Sequence, residues 1–245
     1  MTKVVLIRHG QTTFNKKGLF CGWVDAGLTA RGRQEAIKAG KDLKRRGFVF
    51  DVAFDSYLRR SSQTLSLILK SYPGKRPKIV KDWRLNERHY GDLQGKNKKE
   101  SVKEFGLEQV MLWRRSYSVR PPKISASNRF DQRDDAKYSG LPVPRTESLQ
   151  DVEKRVVAFW RDMVIPVLKE DKRVIISASG NSLRALVKHL SKLSAKEVVD
   201  FNIPTGIPLV YELSKKFKAE KRYFLASARD LARAVEEVKG QVKVK

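Results

Sequence analysis

Four apolar residues without alternation, Val4-Val5-Leu6-Ile7, open the chain and predict a strand buried on both faces. The run breaks at Arg8-His9-Gly10 and continues polar through Asn15. The same pattern returns late. Arg173-Val174-Ile175-Ile176-Ser177-Ala178 reads as a second buried strand, breaking at Ser179-Gly180-Asn181 into a helix from Leu183 to Leu193. Val52-Ala53-Phe54 and Lys78-Ile79-Val80 are shorter strands, and residues 208–213 and 222–225 read as a late strand pair.

Helical patterns fill the intervals. Thr29 is a plausible N-cap for a helix to about Arg46, with Gly47 at C′. Ser56 starts another through Leu58, Leu65 and Leu69, closed by Pro73-Gly74, and a third spans Lys98 to Ser116. Glu147 opens the clearest one: Leu149, Val152, Val156, Phe159 and Met163 recur at three and four, which marks core, and Pro166 kinks or shortens its end. His189 falls in the helix after Ser179 and reads as packed. Residues 228–238 read as a terminal helix before a basic tail at 239–245. The long, polar, Pro-rich stretch 119–145 reads as a lid-like insertion. Strands alternating with helices predict one three-layer α/β/α domain over 1–245 around a mostly parallel sheet.

Composition narrows the classes. With 245 residues, 40% of them hydrophobic, the chain can bury a substantial core and is not globally disordered. The one cysteine, Cys21, excludes an internal disulfide framework and suits a reducing compartment. No run of 18 apolar residues exists and the N-terminus leads straight into a strand, so neither a membrane span nor a secretory signal is read, and the expected location is cytoplasmic. A formal net charge of +25 attracts anions, whether phosphorylated metabolites, nucleic acid or acidic lipid. The basic residues are spread along the chain and no nucleic-acid-binding motif accompanies them, so charge leaves a nucleic-acid partner open and unsupported.

Candidate chemistry gathers at the strand breaks, where open α/β sheets take their ligands. His9 can attack phosphorus through a neutral nitrogen, Arg8 can pair two phosphoryl oxygens, and Gly10 lets the backbone come close. On that tripeptide alone a solvated turn histidine reads equally well. Arg59 and Arg60, in the first turn of their helix, oppose its dipole and suit an anion better than they suit helix stability. Leu85-Asn86-Glu87-Arg88-His89-Tyr90-Gly91 has no period of either kind and reads as a site loop.

These motifs together resemble the cofactor-dependent phosphoglycerate mutases of the histidine phosphatase superfamily. Arg8-His9-Gly10 is similar to their phosphohistidine motif, and residues 85–91 with Leu93-Gln94-Gly95 to their substrate loop. Arg114-Arg115, residues 180–186 and Pro204-Thr205-Gly206-Ile207-Pro208 match in order, so the resemblance runs from residue 3 to about 225. It implies a phosphoryl group shuttled between the hydroxyls of glycerate through His9, primed by 2,3-bisphosphoglycerate and needing no metal. It assigns proton transfer to Glu87 and the transferring phosphoryl group to Arg8 and Arg60. Asn15 and the Cys21-Gly22 amides would line that pocket, with Gly180 and Asn181 also at the substrate. Tyr90, Lys98, Arg114 and Arg115 would hold the carboxylate and the resting phosphate. A homo-oligomer, dimer or tetramer, is implied as well; the charge of the chain opposes it.

One departure matters. Where the resemblance calls for a second site histidine the chain has Ser179, which cannot carry positive charge against phosphoryl oxygens. Losing such a donor commonly costs on the order of 10²- to 10³-fold in rate. Cys21 in place of threonine and Phe14 in place of tryptophan are minor. Three readings stand: a mutase weakened at Ser179 or an engineered serine variant of an active one, an impaired relative that binds phosphorylated glycerate or a partner (or a related phosphatase), and a nucleic-acid-binding protein.

Overall fold

Alternating side chains of one strand explain the architecture. Val4 and Leu6 of β1 (Thr2–Arg8) enter one apolar cluster, while Val5 and Ile7 enter another on the opposite face. The computed structural model describes residues 2–71 and 75–240, so the expected stop at Pro73-Gly74 and the last five residues of the basic tail lie outside the described residues. In chain order, β1 is followed by α1 (Thr13–Lys17), α2 (Ala30–Arg45), β2 (Val52–Asp55), α3 (Arg59–Lys70) and β3 (Lys78–Lys81). Then come α4 (Lys98–Phe105), α5 (Leu107–Arg115), α6 (Leu149–Phe159), α7 (Ile165–Lys169), β4 (Val174–Ala178), α8 (Gly180–Ser191), α9 (Ala195–Asp200), β5 (Leu209–Leu213), β6 (Ala219–Phe224) and α10 (Ala228–Gly240).

The six strands form one sheet in the order β3-β2-β4-β1-β5-β6. Ladders β1/β4, β2/β3 and β2/β4 are parallel, whereas β5 runs antiparallel to β1, and β6 to β5. Helices α2 and α3 cover the Val5 face through Ala39, Leu43, Leu65 and Ile68; α6 and α8 cover the Val4 face through Leu149, Val156, Leu183 and Leu186. The fold is three layers, α/β/α, with β1 and β4 central and their carboxyl ends side by side in the register Arg8↔Ala178. That register brings the two strand breaks together.

Several local expectations hold. Thr29 caps α2 by accepting from the Gly32 amide, and Gly47 closes it with φ +73°. Others shift. Helix α3 starts at Arg59 rather than Ser56, because Ser56 lies in the turn leaving β2 and the Asp25 carboxylate takes the Arg59 amide from outside at 2.6 Å. The third helix divides at Gly106, whose φ of +80° cannot continue a helix. Pro166 follows a wide π-turn, Trp160–Val164, that joins α6 to α7 and absorbs the missing proline N–H. His189 is exposed on the last turn of α8 rather than packed.

Residues 119–145 form no strand. They pack on the 85–95 loop: Gln132 Oε1 meets both His89 Nε2 at 3.2 Å and Gln94 Nε2 at 3.1 Å, and the Tyr138 ring lies tilted against Trp23 with centroids 4.9 Å apart. No described helix is long and apolar enough to cross a membrane.

Candidate active site

The two strand breaks open into one pocket of about 90 Å³, room for a ligand of a few carbons rather than a polymer. His9 follows β1 directly. Its backbone continues the β1/β4 ladder through Ala178 O, and Gly10 lies so close to Gly32 that a Cβ there would sit 2.2 Å from the Gly32 carbonyl oxygen. The N-terminus of α2 is thus pressed against the turn, fixing the imidazole.

Two hydrogen bonds determine the His9 tautomer. Nδ1 lies 2.9 Å from the Gly10 carbonyl and donates to it, while Arg60 Nε donates to Nε2 at 3.1 Å. Nε2 is therefore the bare nitrogen. Burial, then the charges of Arg60 and Arg8, hold the His9 pKa well below the usual 6.5, so the ring is neutral at physiological pH.

Arg60 also grips the loop after α1, donating to the carbonyls of Gly22 (2.8 Å) and Val24 (2.9 Å) and to Cys21 Sγ (3.2 Å). Arg8 Nη1 donates to Ile203 O at 2.7 Å, and its Nε is buried with no hydrogen-bond partner. Glu87 Oε1 accepts the amide of Arg88 at 2.8 Å and that of Asn181, in the first turn of α8, at 3.3 Å. Asn181 Nδ2 donates to the Tyr90 hydroxyl, and Arg184 Nη1 to Asn181 Oδ1.

Six basic side chains, Arg8, Arg60, Lys98, Arg114, Arg115 and Arg184, line the pocket against one carboxylate, Glu87. Burial foremost, with neighbouring arginines next, lowers the pKa of Lys98 to about 7 and depresses Arg114 and Arg184 as well. Such a cluster is destabilised as it stands and is relieved by an anion carrying several charges. Among the described residues, no group of three or more His, Cys, Asp or Glu side chains is placed to hold a metal ion.

Asn15, Cys21, Gly22, Tyr90, Gly180 and Asn181 line the same pocket, as do His9, Glu87 and the expected cations. Ser179 does not. It is fully buried at the N-cap of α8, makes no side-chain cap, and its hydroxyl has no partner. Thr12, Leu19, Phe20, Arg184, Asn202 and Ile203 complete the lining. Arg184 lay within the matching 180–186 motif, a usable signal; Asn202, which accepts from Arg115 at 3.1 Å, had none.

Fold and pocket define an α/β protein with a cation-lined pocket at its strand ends, and comparison fixes its class: residues 4–223 match the histidine phosphatase superfamily (branch 1), and the chain belongs to that family. The relatives narrow it further. The 2,3-bisphosphoglycerate-dependent phosphoglycerate mutase of Zymomonas mobilis is 51% identical over 225 residues, covering 92% of this chain and 99% of the relative. That of Borreliella afzelii is 46% identical over 248 residues and covers both chains completely. Among solved structures, Bacillus stearothermophilus YhfR shares the fold with a TM-score of 0.69 at 21% identity, covering 90% of this chain and 95% of that one.

Proposed function

We propose that the chain interconverts 2- and 3-phosphoglycerate through a phosphohistidine on His9. The observation that carries this is the neutral His9 ring, its bare Nε2 beneath Arg60 in a pocket of six cations and one carboxylate. 2,3-Bisphosphoglycerate, when bound, supplies the phosphoryl group that charges His9. The residues fit such a polyanion: the cations outnumber Glu87, and the buried Arg8 Nε has an unused proton to give.

In this reading Nε2 takes the phosphoryl group while Arg60 transfers its hydrogen bond from the ring to a phosphoryl oxygen. Arg8 and Arg60 then stabilise the charge that spreads over those oxygens. Glu87 takes and returns the proton of the glycerate hydroxyl. Asn15, the amides of Cys21 and Gly22, and Gly180 with Asn181 at the α8 N-terminus surround the transferring group. Tyr90, Lys98, Arg114 and Arg115 hold the carboxylate and the resting phosphate. Self-association belongs to the same proposal and is read by light scattering on the purified chain.

A second reading, binding with little turnover, is favoured by Ser179, whose hydroxyl is buried without a partner. One experiment separates them: incubate the protein with labelled 2,3-bisphosphoglycerate, measure acid-labile label, and follow 3- to 2-phosphoglycerate conversion in the same sample. Label on His9 with conversion is expected. Saturable binding without label supports the impaired relative, and label released as inorganic phosphate without isomerisation supports a phosphatase.

A further inference from the structure

Asp55 is a buried carboxylate that the proposed chemistry does not use. It ends β2 at 1% exposure, level in the sheet with Ser177 of β4, which itself pairs with Ile7, two residues before His9. Its two oxygens accept from Ser61 Oγ at 2.6 Å and Ser62 Oγ at 2.5 Å, both in the first turns of α3. Ser61 Oγ also lies 2.7 Å from Ser177 O and 3.0 Å from Ser177 Oγ.

That end of α3 is otherwise poorly made. Leu58 at the N-cap offers no side-chain cap, no acid occupies the first turn, and Arg59 and Arg60 set two cations against the positive end of the helix dipole. Arg60 nevertheless has to be held firmly, since its Nε meets His9 Nε2. Thr64 ties the same turn to the His9 segment, donating to Arg60 O and accepting from the Gly10 amide. A neutral side chain would satisfy Ser61 and Ser62 without burying a charge; the carboxylate adds a buried negative charge to a helix end that otherwise has only the exposed Asp25 carboxylate on the Arg59 amide.

We propose that Asp55 is a positioning residue for phosphoryl transfer: through Ser61 and Ser62 it fixes the first turn of α3 and so seats Arg60 on His9. The inference rests on the reading of His9 as phosphoryl acceptor. The network has two routings. With Asp55 ionised, Ser61 donates to the carboxylate; with Asp55 protonated, the carboxyl donates to a serine and the single Ser61 proton turns to Ser177 O. The groups facing Asp55 are Ser61 and Ser62 of α3, Ser177 of β4, the Ser56 amide and Lys81 of β3. Burial outweighs the hydrogen bonds and Lys81, raising its pKa to about 6.

The test compares Asp55→Asn with the unaltered protein from pH 5 to 7.5 in 3-phosphoglycerate turnover primed by 2,3-bisphosphoglycerate, with acid-labile label on His9 measured alongside. The ratio of the two kcat values cancels the ionisation of the substrate phosphate. It is expected to rise from about 1 at pH 5 to about tenfold at pH 7.5, with KM changed less than about twofold, because a small displacement of a catalytic cation costs rate more than binding. Ser62→Ala, which removes one of the two hydroxyls, is expected to lower kcat about threefold in the same pH-dependent way. If Asp55→Asn does not fold, that variant alone decides. A ratio flat across the range, at any level, overturns the inference while label on His9 leaves the functional reading standing; absence of label on the unaltered protein overturns both.

Discussion

Arg60 Nε donates to His9 Nε2 at 3.1 Å while its two terminal nitrogens hold the carbonyls of Gly22 and Val24. One guanidinium therefore sets the His9 ring and the loop that faces it. Lysine cannot reproduce that planar fork. Arg60→Lys is expected to lower the rate of His9 labelling on the order of 10²- to 10³-fold, read in single-turnover experiments. Arg60→Met removes one of the charges that depress the His9 pKa. The pH at which the ring protonates is expected to rise in that variant, measured by histidine NMR titration.

Ser179 makes opposite predictions for two substitutions. Its hydroxyl is buried without a partner and caps nothing, so Ser179→Ala is expected to raise stability by about 1 kcal/mol and leave turnover within about twofold. Urea unfolding and steady-state kinetics check this. Ser179→His, next in sequence to the pocket-lining Gly180, is expected to raise kcat on the order of 10²-fold. No gain would show that Ser179 is not what limits the site.

Lys98 gives a pH signature. Burial and the neighbouring Arg114 and Arg8 lower its pKa to about 7, so it carries its charge below that pH and loses it above. KM for phosphoglycerate is expected to rise as pH increases through about 7, and Lys98→Arg, charged throughout, to flatten that rise. A KM profile from pH 6 to 9 for both proteins decides it.

Arg155 and Glu147 hold the backbone of residues 84–89. Arg155 Nε meets Glu147 Oε1 at 2.7 Å, its terminal nitrogens donate to the carbonyls of Arg84, Asn86 and Glu87, and Glu147 Oε2 accepts the His89 amide. Both side chains are buried. Arg155→Met leaves the carboxylate without its cation and is expected to cost about 3–5 kcal/mol in chemical unfolding, with kcat falling as Glu87 loosens.

The sequence by itself determined what local pattern can encode. Apolar runs at 4–7 and 174–176 marked strands buried on both faces, helical spacing from Leu149 to Met163 marked a core helix, and Thr29 and Gly47 marked the ends of α2. The resemblance named thirteen of the nineteen residues that line the pocket. Boundaries set from a distance were not legible: Asp25 caps Arg59 across 34 residues, and no local spacing announces it.

Tertiary structure alone decided three things. It brought Asn202 and Ile203 to the pocket, because these arrive with the chain after α9 rather than by strand order. It made residues 119–145 a support under the 85–95 loop with no side chain in the pocket lining. And it left the Ser179 hydroxyl buried without a partner. A residue type states which hydrogen bonds a side chain is able to make; only the packed neighbours state which it is near enough to make, and the Ser179 hydroxyl has none.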